Sequence, residues 1–177
     1  MSLSLKCQYA VRALFELAKR EGQGLIRLRE IADEQHIPRR FLENILNELR
    51  QGGFVASKRG KDGGFRLDRP PEEISIGDVV RFVEDSMHPV ECLDRHQCPL
   101  NGRCIFIGLW DEAKQALERV YDQKKLSDLV REDAENCARQ GAPATAGIGK
   151  LPCSPPSDDE DGESDDAEGE GEEEVGT

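Results

Sequence analysis

Three cysteines in one short segment carry the clearest chemical signal in this sequence. Cys92, Cys98 and Cys104 are separated by five residues in each gap. Six steps of about 100° bring the chain to about 240° around a helix, so the three side chains would not share one helix face. Pro99 and Gly102 also disfavour a helix here. We therefore predict a loop that can fold three thiolates around a common centre.

The cysteine spacing favours an iron–sulfur cluster over a structural zinc ion. Zinc sites usually pair cysteines across roughly two to four residues, which is tighter than the spacing here, and iron–sulfur clusters are held by cysteine thiolates. We expect a 2Fe–2S or 4Fe–4S cluster, without deciding between them, whose fourth ligand comes from outside the three cysteines. The alternative is three loop thiols without metal in a reducing compartment.

The composition places the chain among cytoplasmic proteins rather than membrane or secreted ones. Its 177 residues suffice for one ordinary domain and a tail. The sequence has no long apolar run of membrane-spanning length, and its start does not resemble a signal peptide. Six cysteines in such a chain point to metal or redox chemistry before disulfides. We expect no membrane partner.

The net charge of -12 is unevenly distributed along the chain. Residues 1–69 hold 14 Lys or Arg against 9 Asp or Glu, a net of +5, whereas residues 70–140 have a net of -6. Residues 141–177 hold one Lys and twelve acidic residues, a net of -11. A basic first half suits a polyanionic partner such as nucleic acid, although many globular domains share this mild bias.

The first half of the chain has the apolar periodicity of three helices. We predict helices over residues 3–20, Leu28–Gln35 and Pro38–Gln51, with a turn at His36-Ile37-Pro38 between the last two. The third helix has a predicted buried stripe of Phe41, Leu42, Ile45, Leu46 and Leu49. Its predicted outward side chains are Arg39, Arg40, Glu43, Asn44 and Asn47. This is a helix-turn-helix pattern, whose second helix would read base edges in the major groove.

A basic β-hairpin is predicted directly after the helix-turn-helix. Strands are expected over residues 54–60 and 65–67, joined by a glycine-rich turn. The candidate DNA-binding residues of the hairpin are Lys58, Arg59, Lys61, Gly63 and Gly64. The glycines would let the tip approach a DNA backbone, and an arginine could enter a narrow minor groove. A hairpin in this position is a wing, and it makes DNA binding the favoured interpretation over a solvated surface.

The second half is predicted to form a dimerisation region and a disordered tail. A helix over Ile74–Glu84 precedes the cysteine loop, a long amphipathic helix runs from Cys104 to Gln123, and a short helix covers residues 126–133. We expect the long helix to form a two-stranded dimer seam, the alternative being packing within its own subunit. We divide the chain into a winged domain at 1–70, a loop and dimerisation region at 71–135, and an acidic tail at 136–177.

Several short motifs in this sequence together resemble the Rrf family of winged-helix transcriptional regulators, of the IscR, NsrR and RirA type. The resemblance covers about residues 1–133. Its motifs are Lys6 with Tyr9-Ala10-Val11, Phe41-Leu42-Glu43, Arg59-Gly60 with Gly63-Gly64-Phe65, Ile76-Gly77-Asp78-Val79, and the three cysteines.

The resemblance implies a homodimer that binds a double-stranded DNA operator and is gated by an iron–sulfur cluster. It implies that Cys92, Cys98 and Cys104 are cluster ligands, that Glu43 tunes site preference and that Arg59 touches DNA. It also implies signals such as iron supply, redox stress or nitric oxide, and regulation that is most often repression.

This sequence differs from members of the family at the positions that supply their fourth cluster ligand. IscR-like members place a histidine where this chain has Ile107, and NsrR-like members place an aspartate where it has Gln8. Ile107 cannot bind iron, whereas Gln8 is a poor iron ligand but has donor atoms. We therefore keep Cys7, Gln8 and His96 as candidates, with the alternatives that Cys7 is a buried helix residue, that His96 is a solvated loop residue, and that solvent or a small thiol completes the site.

Two other functions compete with cluster-gated regulation. A cluster-free regulator of the CymR kind, controlled by a protein partner, would share every DNA-binding feature. An electron-transfer protein would have no use for the wing, and no nucleotide-binding glycine motif is present in the sequence. His36, His88 and His96 have no evident nucleophile partner beyond the loop thiols, so the sequence does not predict an enzyme.

Overall fold

The structure is a computed structural model that describes residues 3–60, 62–84, 90, 100 and 103–139. These residues form six α-helices and one antiparallel hairpin, which confirms the predicted mainly helical, winged fold. The elements are α1 (Leu5–Lys19), α2 (Leu28–Gln35), α3 (Arg39–Gln51), β1 (Val55–Lys58), β2 (Gly64–Leu67), α4 (Ile76–Val83), α5 (Ile107–Gln123) and α6 (Leu126–Arg139). Lys61, Cys92, His96 and Cys98 lie outside the described residues.

Helix α1 is the centre of the hydrophobic core and packs against α2, α3, α4 and α6. The side-chain oxygen of Ser4 caps its start by accepting a hydrogen bond from the Cys7 amide at 3.1 Å. Tyr9, Ala13 and Leu17, which are spaced four residues apart on one face of α1, are buried. Leu5 is instead 47% exposed, since it lies in the first turn at the edge of the core.

The turn between α2 and α3 depends on an unusual backbone conformation. His36 ends α2 with φ at 48°, in the left-handed region that few residues other than glycine adopt. The Ile37 amide donates to the Ala32 carbonyl at 3.0 Å, and the Ile37 side chain is buried. Pro38 occupies the N-cap rather than the first helical position that the sequence predicted. The chain thus turns within three residues, and α3 packs against α2.

The prediction that Phe41 belongs to the buried stripe of α3 is wrong. Leu42, Ile45, Leu46 and Leu49 are buried, but Phe41 is 58% exposed. At about 100° per residue, Phe41 lies about 90° from the centre of the stripe formed by those four residues. It therefore sits at the boundary between the buried and solvent-facing sides, where helical periodicity alone does not decide burial.

The wing is a short hairpin that also pairs with the start of the helix-turn-helix. Val55 pairs with Leu67 and Lys58 with Gly64. The backbone of Ile26 exchanges hydrogen bonds of 2.9 and 2.8 Å with Phe65, so the hairpin is attached to the segment before α2. Because this segment leads directly into α2, the wing and the helix-turn-helix form one packed unit.

A cap and a glycine together fix α4 against α5. Ser75 caps α4, and its hydroxyl donates to the Asp78 carboxylate at 2.7 Å. Although burial opposes it, hydrogen bonds from Ser75 and Arg81 hold the pKa of Asp78 below its usual value. Arg81 also pairs with Asp122 of α5 at 2.7 Å. A Cβ at Gly77 would collide with the Asp122 carboxylate oxygen that pairs with Arg81, so a larger residue there would displace Asp122 from this ion pair.

The last two helices differ from prediction in their bounds. Helix α5 begins at Ile107 rather than at Cys104, and α6 extends to Arg139 rather than ending near Asp133. Lys19 of α1 pairs with Asp133 at 3.0 Å, which holds α6 against the core. Residues 136–139, which we assigned to the tail, are therefore helical. The rest of the acidic tail, residues 140–177, lies outside the described residues.

Candidate nucleic-acid interface

The polar face of α3 is open to solvent along its length. The predicted outward residues are all exposed: Arg39, Arg40, Glu43, Asn44 and Asn47. Arg39 pairs with Asp33 of α2 at 3.1 Å, which places one of the basic groups toward the preceding helix. The face presents both hydrogen-bond donors and acceptors, as the edges of bases in the major groove do.

The wing, which follows α3 in the chain, also presents cations to solvent. Lys58 and Arg59 are both exposed at the end of β1, while Lys61 lies outside the described residues. Gly60 has φ at 111°, a conformation that favours glycine and turns the chain after Arg59. The structure does not place these side chains on DNA, so their contacts stay predictions.

The two wing glycines are explained by local packing. A Cβ at Gly63 would collide with the Lys58 carbonyl, and a Cβ at Gly64 would lie 2.5 Å from the Ile26 carbonyl oxygen. Gly64 is buried and belongs to β2, whereas the sequence analysis placed it in the turn. Packing against Ile26 accounts for Gly64 without any DNA contact.

A buried polar cluster, formed by Glu16, Arg20 and Gln35, fixes α2 against α1. The Glu16 carboxylate, only 2% exposed, accepts from Arg20 Nε at 2.6 Å and from Gln35 Nε2 at 3.0 Å. Arg12 donates to the Gln35 backbone carbonyl at the end of α2. Buried charges are retained where they are paired, and breaking one partner is strongly destabilising. The cluster holds the helix-turn-helix at one angle to the core. Sequence reasoning missed it, because it assigned no role to Glu16 or Gln35.

Two arginines at the start of α2 were also missed as candidate DNA contacts. Arg27 and Arg29 are both exposed. In helix-turn-helix proteins the first helix crosses the DNA backbone, so cations here are suited to phosphate contacts. The signal available in the sequence was the excess of positive charge in residues 1–69, to which both arginines contribute.

Aromatic side chains connect α4 to the end of α3 and to the wing. The rings of Phe54 and Phe82 are 5.3 Å apart, and the Arg69 guanidinium lies 4.7 Å above the Phe54 ring. A Cβ on Gly52 would come within 2.6 Å of the Phe82 ring, so a larger residue at the end of α3 would displace this ring. This contact set, Gly52–Phe54–Arg69–Phe82, joins the end of α3 and the hairpin to α4, the helix that precedes the cysteine segment.

One of the three predicted cluster cysteines is described by the structure. Cys104 is a free, half-buried thiol three residues before α5 begins. Cys92 and Cys98 lie outside the described residues, so their distances to Cys104 stay predictions. Ile107, where IscR-like relatives have histidine, is the first residue of α5 and is 48% exposed. Its hydrocarbon side chain cannot bind iron.

The candidate fourth ligands on α1 occupy contrasting environments. Cys7 is fully buried, and the carboxylate of Glu84 lies close enough to its thiol to influence the thiol's pKa. Burial, followed by the negative charge of Glu84, raises the pKa of the Cys7 thiol to about 12. Since iron binds the thiolate, Cys7 in this environment is a poor ligand. Gln8 is exposed, and its side-chain nitrogen donates to the Leu3 carbonyl at 3.0 Å.

The family profile described as Rrf2, iron-dependent transcriptional regulator, matches residues 3–132. The chain belongs to the Rrf2 family. The matched segment includes every described helix and strand except the last turns of α6. The resemblance drawn from the short motifs is thereby confirmed.

One regulator matched by sequence and two solved structures show what this chain is similar to. The transcriptional regulator NsrR of Bacillus licheniformis is 34% identical over 132 residues, covering 73% of this chain and 92% of its own. The structure of CymR, the global cysteine regulator of B. subtilis, matches with a TM-score of 0.64 at 32% identity, covering 75% of this chain and 98% of CymR. T. potens IscR matches with a TM-score of 0.63 at 30% identity, covering 77% and 90%.

The described helices give no sign of a membrane-spanning segment. Among them, none is both long enough and apolar enough to cross a bilayer.

Proposed function

We propose that this Rrf2 protein is a sequence-specific DNA-binding repressor that acts in the cytoplasm and has no enzymatic activity. The observation that carries the proposal is the exposed polar face of α3 together with the exposed cations of the wing that follows it. Helix α3 would enter the major groove, where Arg40 suits guanine and Asn44 suits adenine. Arg59 would reach the adjacent minor groove. The buried cluster around Glu16 supports this reading because it fixes the angle of the helix-turn-helix.

The protein is proposed to act as a homodimer through α5. All residues of α5 are described, and none of them is fully buried within the subunit. Large apolar side chains on and just before the helix are exposed: Ile105 (86%), Phe106 (53%), Leu109 (54%) and Val120 (61%). An apolar face of this extent indicates a partner helix, and a second copy of α5 supplies the two-fold symmetry that paired operator half-sites require.

DNA affinity is proposed to depend on an iron–sulfur cluster held by Cys92, Cys98 and Cys104. A cluster at this site would supply a centre that changes with iron supply, oxidants or nitric oxide. The family description as iron-dependent and the free thiol at Cys104 support this assignment. We propose either a 2Fe–2S or a 4Fe–4S cluster. Because Cys7 is buried, its fourth ligand is proposed to be Gln8, His96 or a small molecule.

The helix before the cysteine segment, α4, contacts the start of α1 and, through Phe82, the end of α3 and the wing. Glu84 ends α4 and accepts from the Ser4 amide at 2.7 Å at the start of α1. Phe82, two residues earlier, belongs to the Gly52–Phe54–Arg69–Phe82 contact set. A cluster that orders the segment after Glu84 would therefore favour one position of α4, and through it one position of α3 and the wing. Couplings of this kind typically change affinity by about 5- to 150-fold.

Replacing Cys7 with alanine tests whether it is a cluster ligand. We expect the Cys7→Ala protein to keep the visible absorbance of the cluster, because the buried thiol is held protonated beside Glu84. Its free energy of unfolding should fall by about 1 kcal/mol, since a small buried group is lost. Gln8→Ala and His96→Ala are the matched comparisons under anaerobic conditions. Loss of absorbance in Cys7→Ala alone would instead assign Cys7 as the fourth ligand.

A cluster-free regulator of the CymR type is the second candidate function. It is favoured by the structural match to CymR, because the shared fold extends over 98% of the CymR chain. Such a regulator would share α3, the wing and the α5 dimer but would be controlled by a protein partner. The two candidates differ in the iron and sulfide content of the protein.

Selection of DNA by the full chain tests the proposed function. Protein purified without oxygen should be coloured, contain iron and sulfide, and enrich one inverted-repeat sequence from a pool of random duplexes. Colourless protein that still enriches such a sequence would support the CymR-type alternative. If the protein enriches no sequence in either state, sequence-specific regulation is wrong.

A further inference from the structure

The exposed ring of Phe41 has no explanation in the core. It lies in the first turn of α3, which begins at Arg39, and more than half of its surface is open to solvent. Around the helix, Phe41 lies about 60° from Asn44 and about 100° from Arg40. A large apolar ring thus borders the polar face that is proposed to enter the major groove.

The position of Phe41 along α3 matters as much as its exposure. Recognition helices contact base edges mainly through their N-terminal residues, and Phe41 is the third residue of α3. The major-groove edges of the four bases carry donors, acceptors and one apolar group, the 5-methyl of thymine. An apolar ring at the groove therefore has one matching chemical partner on the DNA.

We propose that Phe41 is a specificity-determining residue that packs against the 5-methyl group of a thymine in each operator half-site. This inference rests on the proposed function and adds to it a base contact that needs no hydrogen bond. Arg40 and Asn44 would select neighbouring guanine or adenine through hydrogen bonds. Phe41 would disfavour cytosine at its own position, because cytosine has a hydrogen at C5 and lacks the methyl group that the ring would contact.

Replacing single thymines by uracil tests the contact, because uracil lacks only the 5-methyl group. The operator sequence enriched by the full chain serves as the probe, with each dT changed in turn to dU. For the unchanged protein we expect one dT per half-site whose replacement weakens binding about fourfold, the effect of exposing roughly one buried methyl group. Phe41→Ala should bind the dT and dU forms of that position equally.

Two controls separate base reading from a structural role. Phe41→Leu keeps an apolar side chain and should retain part of the dT preference, while thermal unfolding of both variants should match the unchanged protein because the ring is exposed. If Phe41→Ala weakens binding to the dT and dU operators alike and keeps the dT preference, Phe41 does not read thymine and the inference is wrong. It is equally wrong if no dT-to-dU change affects the unchanged protein. Failure to enrich any sequence would refute the proposed function itself.

Discussion

The double variant Asn44→Ala, Arg59→Ala is expected to lose operator affinity by well over tenfold while keeping its fold. A bidentate contact from asparagine to adenine contributes about 1–3 kcal/mol of discrimination, which corresponds to about 5- to 150-fold. Loss of the wing arginine removes a cation from the DNA surface and adds to this effect. Both side chains are exposed, so their removal leaves the core intact. Operator binding measured at several salt concentrations checks the prediction.

The single variants separate the two contributions. Asn44→Ala should relax base preference at one operator position, whereas Arg59→Ala should reduce the steepness of the salt dependence by about 1. Arg131→Ala is the matched control, because it removes an exposed arginine of α6 that pairs with Asp128 outside the winged head. Unchanged operator binding by the double variant would remove α3 and the wing from the interface.

Replacing Cys104 with alanine is expected to abolish the cluster and to change operator affinity by about 5- to 150-fold. Cys104 is half-buried and precedes α5, so the substitution removes a thiolate without opening the core. The Cys104→Ala protein, purified without oxygen, should be colourless and should have the operator affinity of unchanged protein stripped of iron. Iron and sulfide analysis together with binding curves measures both effects.

Cys137→Ala is the matched control for the cysteine substitution. Cys137 is another half-buried free thiol, but it lies in α6, far along the chain from the cysteine segment. This variant should keep both the cluster absorbance and the operator affinity. If Cys104→Ala loses its colour but binds the operator as the cluster-containing protein does, the cluster does not gate DNA binding. If it keeps its colour, Cys104 is not a ligand.

The sequence by itself determined the elements and their order. The apolar periods of α1, α2 and α3 locate the helices, because a helix between a core and solvent repeats every 3.6 residues. Glycines and basic residues after α3 locate the wing, and the three cysteines with the short motifs are sufficient to indicate the family. Each of these signals is local: it depends on residues within one turn, one strand or one helix.

Only the tertiary structure decided features that depend on residues far apart in the chain. The sequence leaves Cys7 as either a free ligand or a buried thiol, and only the fold buries it completely and brings the Glu84 carboxylate near it. Glu16 had no predicted role, and only the fold brings Gln35 of α2 to its carboxylate. No local pattern encodes these pairs, because the chain must fold before their side chains meet.

Phe41 shows the same limit within a single helix. Its sequence position lies at the edge of the apolar stripe of α3, where burial depends on whether a neighbouring element covers that edge. In the folded protein Leu42, the next residue, is fully buried, while the Phe41 ring is exposed beside the polar face. The periodicity of α3 located the helix and its buried side, but the packing of the surrounding elements decided that the Phe41 ring stays exposed.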